Sequence, residues 1–332
     1  MISGDSPHPL IGIARLASES ELLEAKRRVQ YFELPTRKFI NRCTSTRVPF
    51  QWTINPYRGC EFGCKYCYAR YTHEFMELRD GRDFEERIFA KQWSAAAFRD
   101  ELRKIPRTET IAIGTATDPY QPAERRYGVT RKILEVFAGE RGRKLGIISK
   151  SDLIARDAAL LAEIGRRNRL SAHLTITTMD TELARLLEPY APRPDLRQEA
   201  VRQLAAAGLR VGVFSAPILP LINDSEEMLD AVAAAAREAG ASTYGGNVVF
   251  LQPCAQKVFF PFLEKQFPHL ARRYRERFTE SPHLSGDYPK RIQERLETVR
   301  QRHGLSRRFA EYQPEEPAIE QQFAFDFIAQ ST

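Results

Sequence analysis

Three of the five cysteines lie within eight residues of one another, and they are the residues of this sequence with the clearest chemistry. Cys60, Cys64 and Cys67 form the pattern C-x3-C-x2-C. Three thiolates on one tight loop can hold three irons of a cubane iron–sulfur cluster, which leaves the fourth iron without a protein ligand. Such an open iron can chelate a small molecule through an amino and a carboxylate group. The segment therefore predicts a [4Fe–4S] cluster with one free coordination site.

Zinc is the alternative occupant of these cysteines, with Cys43 or His73 as a fourth ligand. Zinc-binding modules usually pair their cysteines in two separated knuckles, and the sequence shows no second knuckle. The iron–sulfur interpretation is therefore preferred. Gly59 and Gly63 would give the loop the backbone freedom to wrap a cluster.

The composition is that of a soluble globular protein, with 42% hydrophobic and 28% charged residues among 332. An odd number of cysteines and a start without a secretory pattern argue against a disulfide framework, so we expect a cytoplasmic protein. The sequence contains no apolar run of about 18 residues, so it predicts no membrane-spanning helix. The formal net charge of +7 favours phosphate-rich partners, although a solvated charged face explains it equally well. Much of this charge lies in 14–47 and 272–308.

Short apolar runs alternate with longer amphipathic stretches from residue 50 onward. This alternation predicts parallel βα units, and six such units make an α/β fold of the partial (β/α)6 TIM-barrel type. We predict strands at 50–55, 110–115, 145–149, 172–178, 210–216 and 247–251. We predict helices between them at 93–104, 129–140, 152–168, 195–207 and 225–239, with caps at Ser94, Thr130, Ser151 and Asp224–Ser225.

Polar residues follow every predicted strand. In barrels the chemistry gathers at the carboxyl ends of the strands, so these residues should surround one site. They are the segments 55–67, 115–118 and 217–224, together with Lys150, Thr177, Thr178 and Gln252.

Four regions are predicted along the chain. They are an N-terminal extension over 1–49 with a helix at 19–28, a barrel over 50–255, a basic helical region over 256–312 and a flexible tail over 313–332. The basic region should contain helices at 262–278 and 288–303.

The cysteine segment resembles the signature of the radical S-adenosylmethionine (SAM) superfamily, C-x3-C-x-aromatic-C after the first barrel strand. Longer segments resemble the spore photoproduct lyase-like, or "DNA repair photolyase", subgroup, and the likeness extends over about 50–255. These segments are 55–70, 117–131, 148–157, 177–197 and 215–224. The resemblance implies an enzyme that binds a [4Fe–4S] cluster and SAM.

The resemblance also implies reductive cleavage of SAM to a 5′-deoxyadenosyl radical, with an electron donor such as flavodoxin or ferredoxin. The substrate it suggests is a nucleic-acid lesion or a modified nucleotide. Two alternatives stay open. One is radical modification of a protein or small metabolite, and the other is a non-catalytic Fe–S or zinc protein that binds nucleic acid.

Several site residues follow from the resemblance alone. It places the methionyl amino group of SAM at Thr115, Ala116 and Thr117, and the SAM carboxylate near Lys150. It places Thr177 and Thr178 toward the ribose or carboxylate, Tyr66 against the adenine, and 217–224 under the adenine. Each has a structural alternative, such as a turn at Asp118, an exposed lysine, or β-branched strand residues. Arg193 and Arg197 could bind an anionic substrate or form a salt-bridged loop.

One departure from the subgroup concerns hydrogen-atom return. Spore photoproduct lyase carries a cysteine at the end of its second strand, where this chain has Thr115 or its neighbours. A hydroxyl O–H bond is too strong to replace it as a donor, so repair of the spore thymine dimer by that route is doubtful. Cys254, after the sixth strand, could reach the same cavity, and a buried structural cysteine is its alternative. Cys43 is interpreted as structural.

The predicted tail ends in a Gln-apolar-x-apolar-x-apolar pattern from Gln322 to Phe327. It resembles peptides that dock bacterial DNA-maintenance proteins on the sliding clamp, which place alternate side chains in apolar pockets. The alternative is that these phenylalanines pack on the barrel itself.

Overall fold

The computed structural model describes residues 9–25, 29–36 and 38–310, except for the side chains of 24 and 25. The segment 322–327 lies outside these ranges, so clamp docking stays a prediction.

Two sheets form the β-structure of the described chain. The strands are β1 (Glu21–Ala25), β2 (Gln30–Leu34), β3 (Ile40–Arg42), β4 (Trp52–Ile54), β5 (Tyr57–Arg58), β6 (Arg87–Lys91), β7 (Thr110–Ile113), β8 (Lys144–Ser149), β9 (Arg169–Thr175), β10 (Val211–Ile218) and β11 (Thr243–Val248). The larger sheet has the order β11-β10-β9-β8-β7-β4-β3, and the smaller has the order β1-β2-β6-β5.

The larger sheet confirms the predicted α/β architecture. Six of its strands are parallel to one another, namely β4, β7, β8, β9, β10 and β11. The strand β3 pairs antiparallel with β4 at the edge of the sheet. The sixth strand, predicted at 247–251, instead covers Thr243–Val248. Gly245 and Gly246 look like turn residues in the sequence, but they lie inside the strand. A Cβ on Gly246 would be 2.7 Å from the carbonyl oxygen of Ser215, so glycine permits the close approach of β10.

Thirteen α-helices accompany these strands in the described ranges. They are α1 (Gly12–Ser18), α2 (Tyr71–Glu74), α3 (Asp83–Glu86), α4 (Ala95–Arg103), α5 (Glu124–Tyr127), α6 (Val129–Ala138), α7 (Ala158–Arg167), α8 (Thr181–Leu187), α9 (Pro194–Ala206), α10 (Glu226–Glu238), α11 (Pro253–Gln266), α12 (Pro268–Arg277) and α13 (Asp287–His303). Two 3-10 helices cover Tyr68–Arg70 and Asp152–Asp157. No helix in the described ranges is long and apolar enough to cross a membrane.

Side-chain caps explain where several helices begin. Ser94 accepts a hydrogen bond from Ala97 N at α4, and Ser225 accepts one from Met228 N at α10, as predicted. The predicted cap at Thr130 is wrong, because Gly128 precedes the first residue of α6.

Two helix predictions in the flanking regions are wrong. Residues 19–28 have a helix-like composition, but Glu21–Ala25 form β1, which pairs antiparallel with β2. Strand pairing there overrides local helix propensity. The helix predicted at 262–278 is two helices, α11 and α12, because Pro268 lacks the N–H that a continuous helix needs.

Three apolar clusters lie around the sheets. The largest packs the barrel helices on the larger sheet, and another packs α1 on the smaller sheet. The third joins the cysteine loop to α11 and α12, through residues such as Phe62, Phe259 and Leu263. The helix α11 therefore packs on the segment that carries the three cysteines, and α12 packs on α11.

Candidate functional site

The three motif cysteines lie on the loop between β5 and the 3-10 helix Tyr68–Arg70. Cys60 and Cys64 are buried, Cys67 is half-buried, and none is in a disulfide. Burial raises the pKa of all three thiols, that of Cys64 to about 12, since an isolated thiolate is costly to desolvate. Charge on neighbouring cysteines raises the pKa of Cys60 and of Cys64 further. A cationic metal group would reverse this preference, because bound thiols are deprotonated.

Two glycines give the loop its path. Gly59 has φ +82°, and a Cβ there would lie 2.9 Å from the carbonyl oxygens of both Phe84 and Arg87. Gly63 has φ +64°, and a Cβ there would lie 2.9 Å from the ring of Tyr190. Both positions therefore require glycine, as the sequence predicted.

A buried amide holds the start of the loop in place. Gln121 Nε2 donates to Gly59 O at 3.0 Å and to Thr117 Oγ1 at 2.9 Å, while Glu61 N donates to Gln121 Oε1 at 3.1 Å. Thr117 Oγ1 in turn donates to Gly59 O at 2.6 Å. Gln121 and Thr117 thus shape the cysteine loop.

The ends of β4 and β7 meet beside the third cysteine. Ala116 N donates to Asn55 Oδ1 at 2.8 Å, and Thr115 Oγ1 lies 3.3 Å from Asn55 Nδ2. The hydroxyl of Tyr68, which directly follows Cys67, donates to Thr115 O. The structure therefore brings the predicted second-strand residues next to the cysteine loop.

Lys150 is not an ordinary exposed lysine. Burial alone would lower its pKa, but Cys64 and Glu188 raise it, and the net shift is upward. Its Nζ lies 5.8 Å from the centroid of the Tyr66 ring. Its backbone N–H donates to Asp118 Oδ2 at 2.7 Å. Asp118 thus anchors the turn that carries Lys150, and it also accepts from Tyr120 N at 2.9 Å as a turn residue does.

A buried ion pair links the loop after α8 to the site, and sequence reasoning missed its carboxylate. Arg197 Nη2 lies 2.5 Å from Glu188 Oε2, and both side chains are at most 1% exposed. Glu188 also accepts hydrogen bonds from Tyr66 OH and Thr177 Oγ1. Burial opposes the charge of Glu188, but Arg197 and Lys150 outweigh it and lower the pKa of this carboxyl.

Backbone contacts tie this segment to the cysteine loop. Lys65 N donates to Leu187 O at 2.9 Å, and Tyr190 N donates to Phe62 O at 3.2 Å. A carboxylate and an arginine nine positions apart around a proline-rich loop give no periodic signal in a sequence, which is why this pair was not predicted.

The remaining predicted polar residues make local contacts. Thr178 Oγ1 accepts from Asp180 N at 3.1 Å, and Asp180 caps α8. Arg193 is exposed and lies 2.8 Å from Asp195. Both Arg193 and Arg197 are therefore ion-paired, which favours the salt-bridged loop.

Cys254 and Cys43 both lie near Tyr68, the tyrosine that follows the motif. Cys254, in the first turn of α11, is buried with its Sγ 4.0 Å from Tyr68 O. Cys43 follows β3, is half-buried, and is close enough to Tyr68 and Tyr71 to affect their pKa values.

His73 has the contacts of a structural histidine. Its Nε2 lies 3.0 Å from Arg87 O, its ring packs on Phe84 and Phe89, and burial lowers its pKa to about 3. Among the described residues, no three His, Cys, Asp or Glu side chains converge on a single metal ion. The cysteines of a cubane bind separate irons and need no common point, so three thiols on one wrapped loop suit that cluster.

Comparison with known proteins identifies the family. The family model for the radical SAM superfamily matches residues 54–233. An uncharacterized protein of Mycobacterium tuberculosis (strain H37Rv) is 34% identical over 294 residues, which cover 88% of this chain and 85% of that protein. An uncharacterized protein of Methanocaldococcus jannaschii is 26% identical over 73% of this chain and 85% of its own length.

Solved structures of spore photoproduct lyase have the same fold. A variant with bound AdoMet and dinucleoside spore photoproduct has a TM-score of 0.59 at 15% identity, covering 81% of this chain and 77% of that one. The complex with dinucleoside spore photoproduct has a TM-score of 0.60 at 14% identity, covering 82% and 78%.

The family match establishes the general class of chemistry. Radical SAM enzymes use a [4Fe–4S] cluster and SAM, and the cysteine loop, Lys150 and the strand-end residues form a site whose composition suits both. The chain belongs to the radical SAM superfamily and is an enzyme of SAM-dependent radical chemistry.

Proposed function

We propose that Cys60, Cys64 and Cys67 bind the [4Fe–4S] cluster and that the substrate is a nucleic-acid lesion or a modified nucleotide. When bound, the cluster and SAM supply a 5′-deoxyadenosyl radical after one-electron reduction. The observation that carries the proposal is the group of three free thiols on one glycine-wrapped loop, which packs against a buried polar network.

The residues around the loop then bind and orient SAM. The half-buried ammonium group of Lys150 offers a positive charge to the SAM carboxylate. Glu188 acts as a positioning residue, because it holds the hydroxyl groups of Tyr66 and Thr177 that border the site. The strand-end backbone supplies the contacts to the SAM amino group. The SAM-contacting set is Tyr66, Thr115, Ala116, Thr117, Lys150, Thr177 and Thr178.

A stack of half-buried rings beside Cys67 supports a base-containing substrate. The rings of Phe250 and His283 are stacked with their centroids 5.3 Å apart, and the ring of Tyr68 is tilted by 38° against Phe250 with the centroids 4.8 Å apart; we call these three rings the ring stack. Aromatic side chains on which bases stack are a common means of binding single-stranded nucleic acid. The fold is shared with spore photoproduct lyase, whose structures hold AdoMet and a dinucleoside spore photoproduct.

We assign hydrogen-atom donation to Cys254. Its S–H bond would break homolytically, with the hydrogen atom passing to the substrate radical. The remaining sulfur radical would be returned to a thiol by one electron from a donor such as flavodoxin or ferredoxin and one proton from water. The position of Cys254 against the Tyr68 backbone supports this role, since the Tyr68 side chain contacts Thr115 and is itself part of the ring stack.

Anaerobic reconstitution tests the cluster assignment. We expect about four irons and four sulfides per chain, and 5′-deoxyadenosine on reduction with dithionite. Cys64→Ala should lose both, while the matched variant Cys43→Ala should keep both, since Cys43 lies outside the loop. Full zinc occupancy without cubane absorption, or equal loss in both variants, would contradict the assignment.

Deuterium transfer tests the substrate class. Damaged oligonucleotides deuterated at the sugar or base should transfer the label into 5′-deoxyadenosine. Transfer from peptides or small metabolites, with none from any oligonucleotide, would reject a nucleic-acid substrate while leaving SAM cleavage intact.

A further inference from the structure

The basic helical region contains a cleft of about 470 Å³ between α12, α13 and the loop that precedes α10. Four arginines line it, two from each helix. They are Arg273 and Arg277 on α12, and Arg291 and Arg295 on α13. In each pair the residues are four positions apart, so both side chains lie on the same face of their helix.

These four arginines form no ion pair with a carboxylate in the described part of the chain, although Arg295 is close enough to Glu227 to help lower the pKa of that carboxyl. None of their guanidinium groups has a carboxylate oxygen within 4.0 Å. Arg277 lies over the ring of Tyr288 at 5.6 Å, and Arg295 donates to the backbone oxygen of Asp224 at 2.7 Å. Arg273 and Arg291 are exposed.

Arginines on the same helices but outside the cleft are paired. Arg272 lies 2.8 Å from Glu276, and Arg275 is in contact with Glu264. On α13, Arg300 lies 2.6 Å from Glu297. A merely solvated basic surface would not separate paired from unpaired arginines in this way, so the unpaired charge is concentrated at the cleft.

Three carboxylates also line the cleft, but each has a partner. Asp224 accepts from Tyr288 OH at 2.8 Å and from Leu221 N at 2.8 Å. Glu226 lies 2.7 Å from Arg302. Glu227 has a lowered pKa because its own backbone N–H and Ser225 donate to it. These groups therefore leave the exposed guanidiniums free for an external anion.

The cleft is structurally connected to the site. Tyr274, between the two arginines of α12, donates to Pro220 O at 2.8 Å, and Asn223 Nδ2 donates to Thr177 O at 2.9 Å. The loop over 219–225 thus forms one wall of the cleft and also reaches the carboxyl end of β9. A chain bound in the cleft would lie at the same end of the barrel as the cysteine loop.

We propose that Arg273, Arg277, Arg291 and Arg295 bind the phosphodiester backbone of the nucleic-acid substrate, an inference that rests on the proposed function. Guanidinium groups suit this role because they remain charged and bind phosphate oxygens in pairs. Such contacts position a nucleic acid without reading its sequence. The cleft would hold the flanking strand while the reacting nucleotide lies at the ring stack.

Fluorescence anisotropy tests this proposal. It measures the binding of a fluorescein-labelled oligo(dT) of about 20 nucleotides to the reconstituted full chain, between about 50 and 200 mM KCl. We expect Arg273→Ala with Arg291→Ala to weaken binding. The slope of log K against log salt should become shallower by about 0.7 for each phosphate that is no longer neutralised, about 1.4 in all. The matched variant Arg272→Ala with Arg275→Ala removes the same charge from paired positions, so its slope should be that of the wild type.

Equal weakening in the two double variants would overturn the proposal, because net charge alone would then explain binding. Binding of polyglutamate in preference to oligo(dT), abolished in the cleft variant, would also overturn it in favour of an acidic protein partner. Formation of 5′-deoxyadenosine under dithionite is measured in parallel and should be unchanged in both variants. Its absence in the wild type would reject the proposed function, whereas the anisotropy result would still decide whether the cleft binds phosphates.

Discussion

The buried pair of Glu188 and Arg197 gives the most quantitative prediction. Arg197→Met would leave the Glu188 carboxylate inside the protein without its closest cation, and breaking a buried pair in this way costs about 3 to 5 kcal/mol. The variant also loses the bonds that Arg197 donates to Pro192 O and Thr175 O. Lys150, which also lowers the pKa of Glu188, should keep the cost near the lower end of that range.

A double-mutant cycle isolates the interaction. Glu188→Gln alone leaves the guanidinium unpaired, whereas Glu188→Gln with Arg197→Met removes both charges. We therefore expect the double variant to be more stable than the sum of the single effects predicts, by about 2 kcal/mol. Urea unfolding followed by far-UV circular dichroism measures this, provided that the variants share one denaturant slope.

The exposed pair of Arg193 and Asp195, on the same loop, is the matched control for this cycle. Its cycle should show no measurable coupling, because exposed pairs are screened by solvent. Additivity within about 0.5 kcal/mol at Glu188 and Arg197 would refute the reasoning, since it would mean that the two charges do not depend on each other.

Three further predictions follow from single residues. Gly59→Ala should abolish iron incorporation, because its Cβ would lie 2.9 Å from two carbonyl oxygens. Iron content and visible absorption measure this. The control Gly304→Ala, at a position with φ +62° and nothing within 4 Å of the added Cβ, should keep the cluster. Burial lowers the pKa of Lys91 to about 7, so the unfolded chain binds more protons above that pH. The stability of the wild type relative to Lys91→Met should then rise by roughly 1 kcal/mol per pH unit from pH 7 to 9 in urea unfolding, and a constant difference would contradict this. Cys254→Ala should keep 5′-deoxyadenosine formation but lose conversion of the substrate, and unchanged product formation would remove Cys254 as a donor.

The sequence was informative wherever one residue type has one physical role. Apolar runs of strand length, the Ser94 cap and the close spacing of the cysteines each predicted their local structure. The polar residues after the strands were expected to meet because parallel strands place their carboxyl ends together, and Thr117, Lys150 and Thr177 do surround the cysteine loop.

The sequence was less informative where contacts between distant segments decide the outcome. Residues 21–25 form a strand because β2 pairs with them, and nothing in their own composition indicates it. Glu188 enters the site because α8 and the loop after it pack on the cysteine loop, which cannot be inferred from a lone carboxylate beside a proline. The division of arginines into paired and unpaired groups likewise depends on how α12 and α13 meet.

The hydrogen bond from Tyr31 OH to Glu61 Oε2, at 2.8 Å, has a consequence for where this catalytic unit begins. Tyr31 lies on β2, which pairs with β6, whereas Glu61 directly follows the first motif cysteine. A shortened protein that started at residue 54, where the family match begins, would keep all three cysteines. It would nevertheless lose the Tyr31 hydroxyl that holds their loop, the edge strand β3, and Trp52 and Thr53 of β4. Domain boundaries drawn from sequence similarity alone are therefore too narrow for this enzyme.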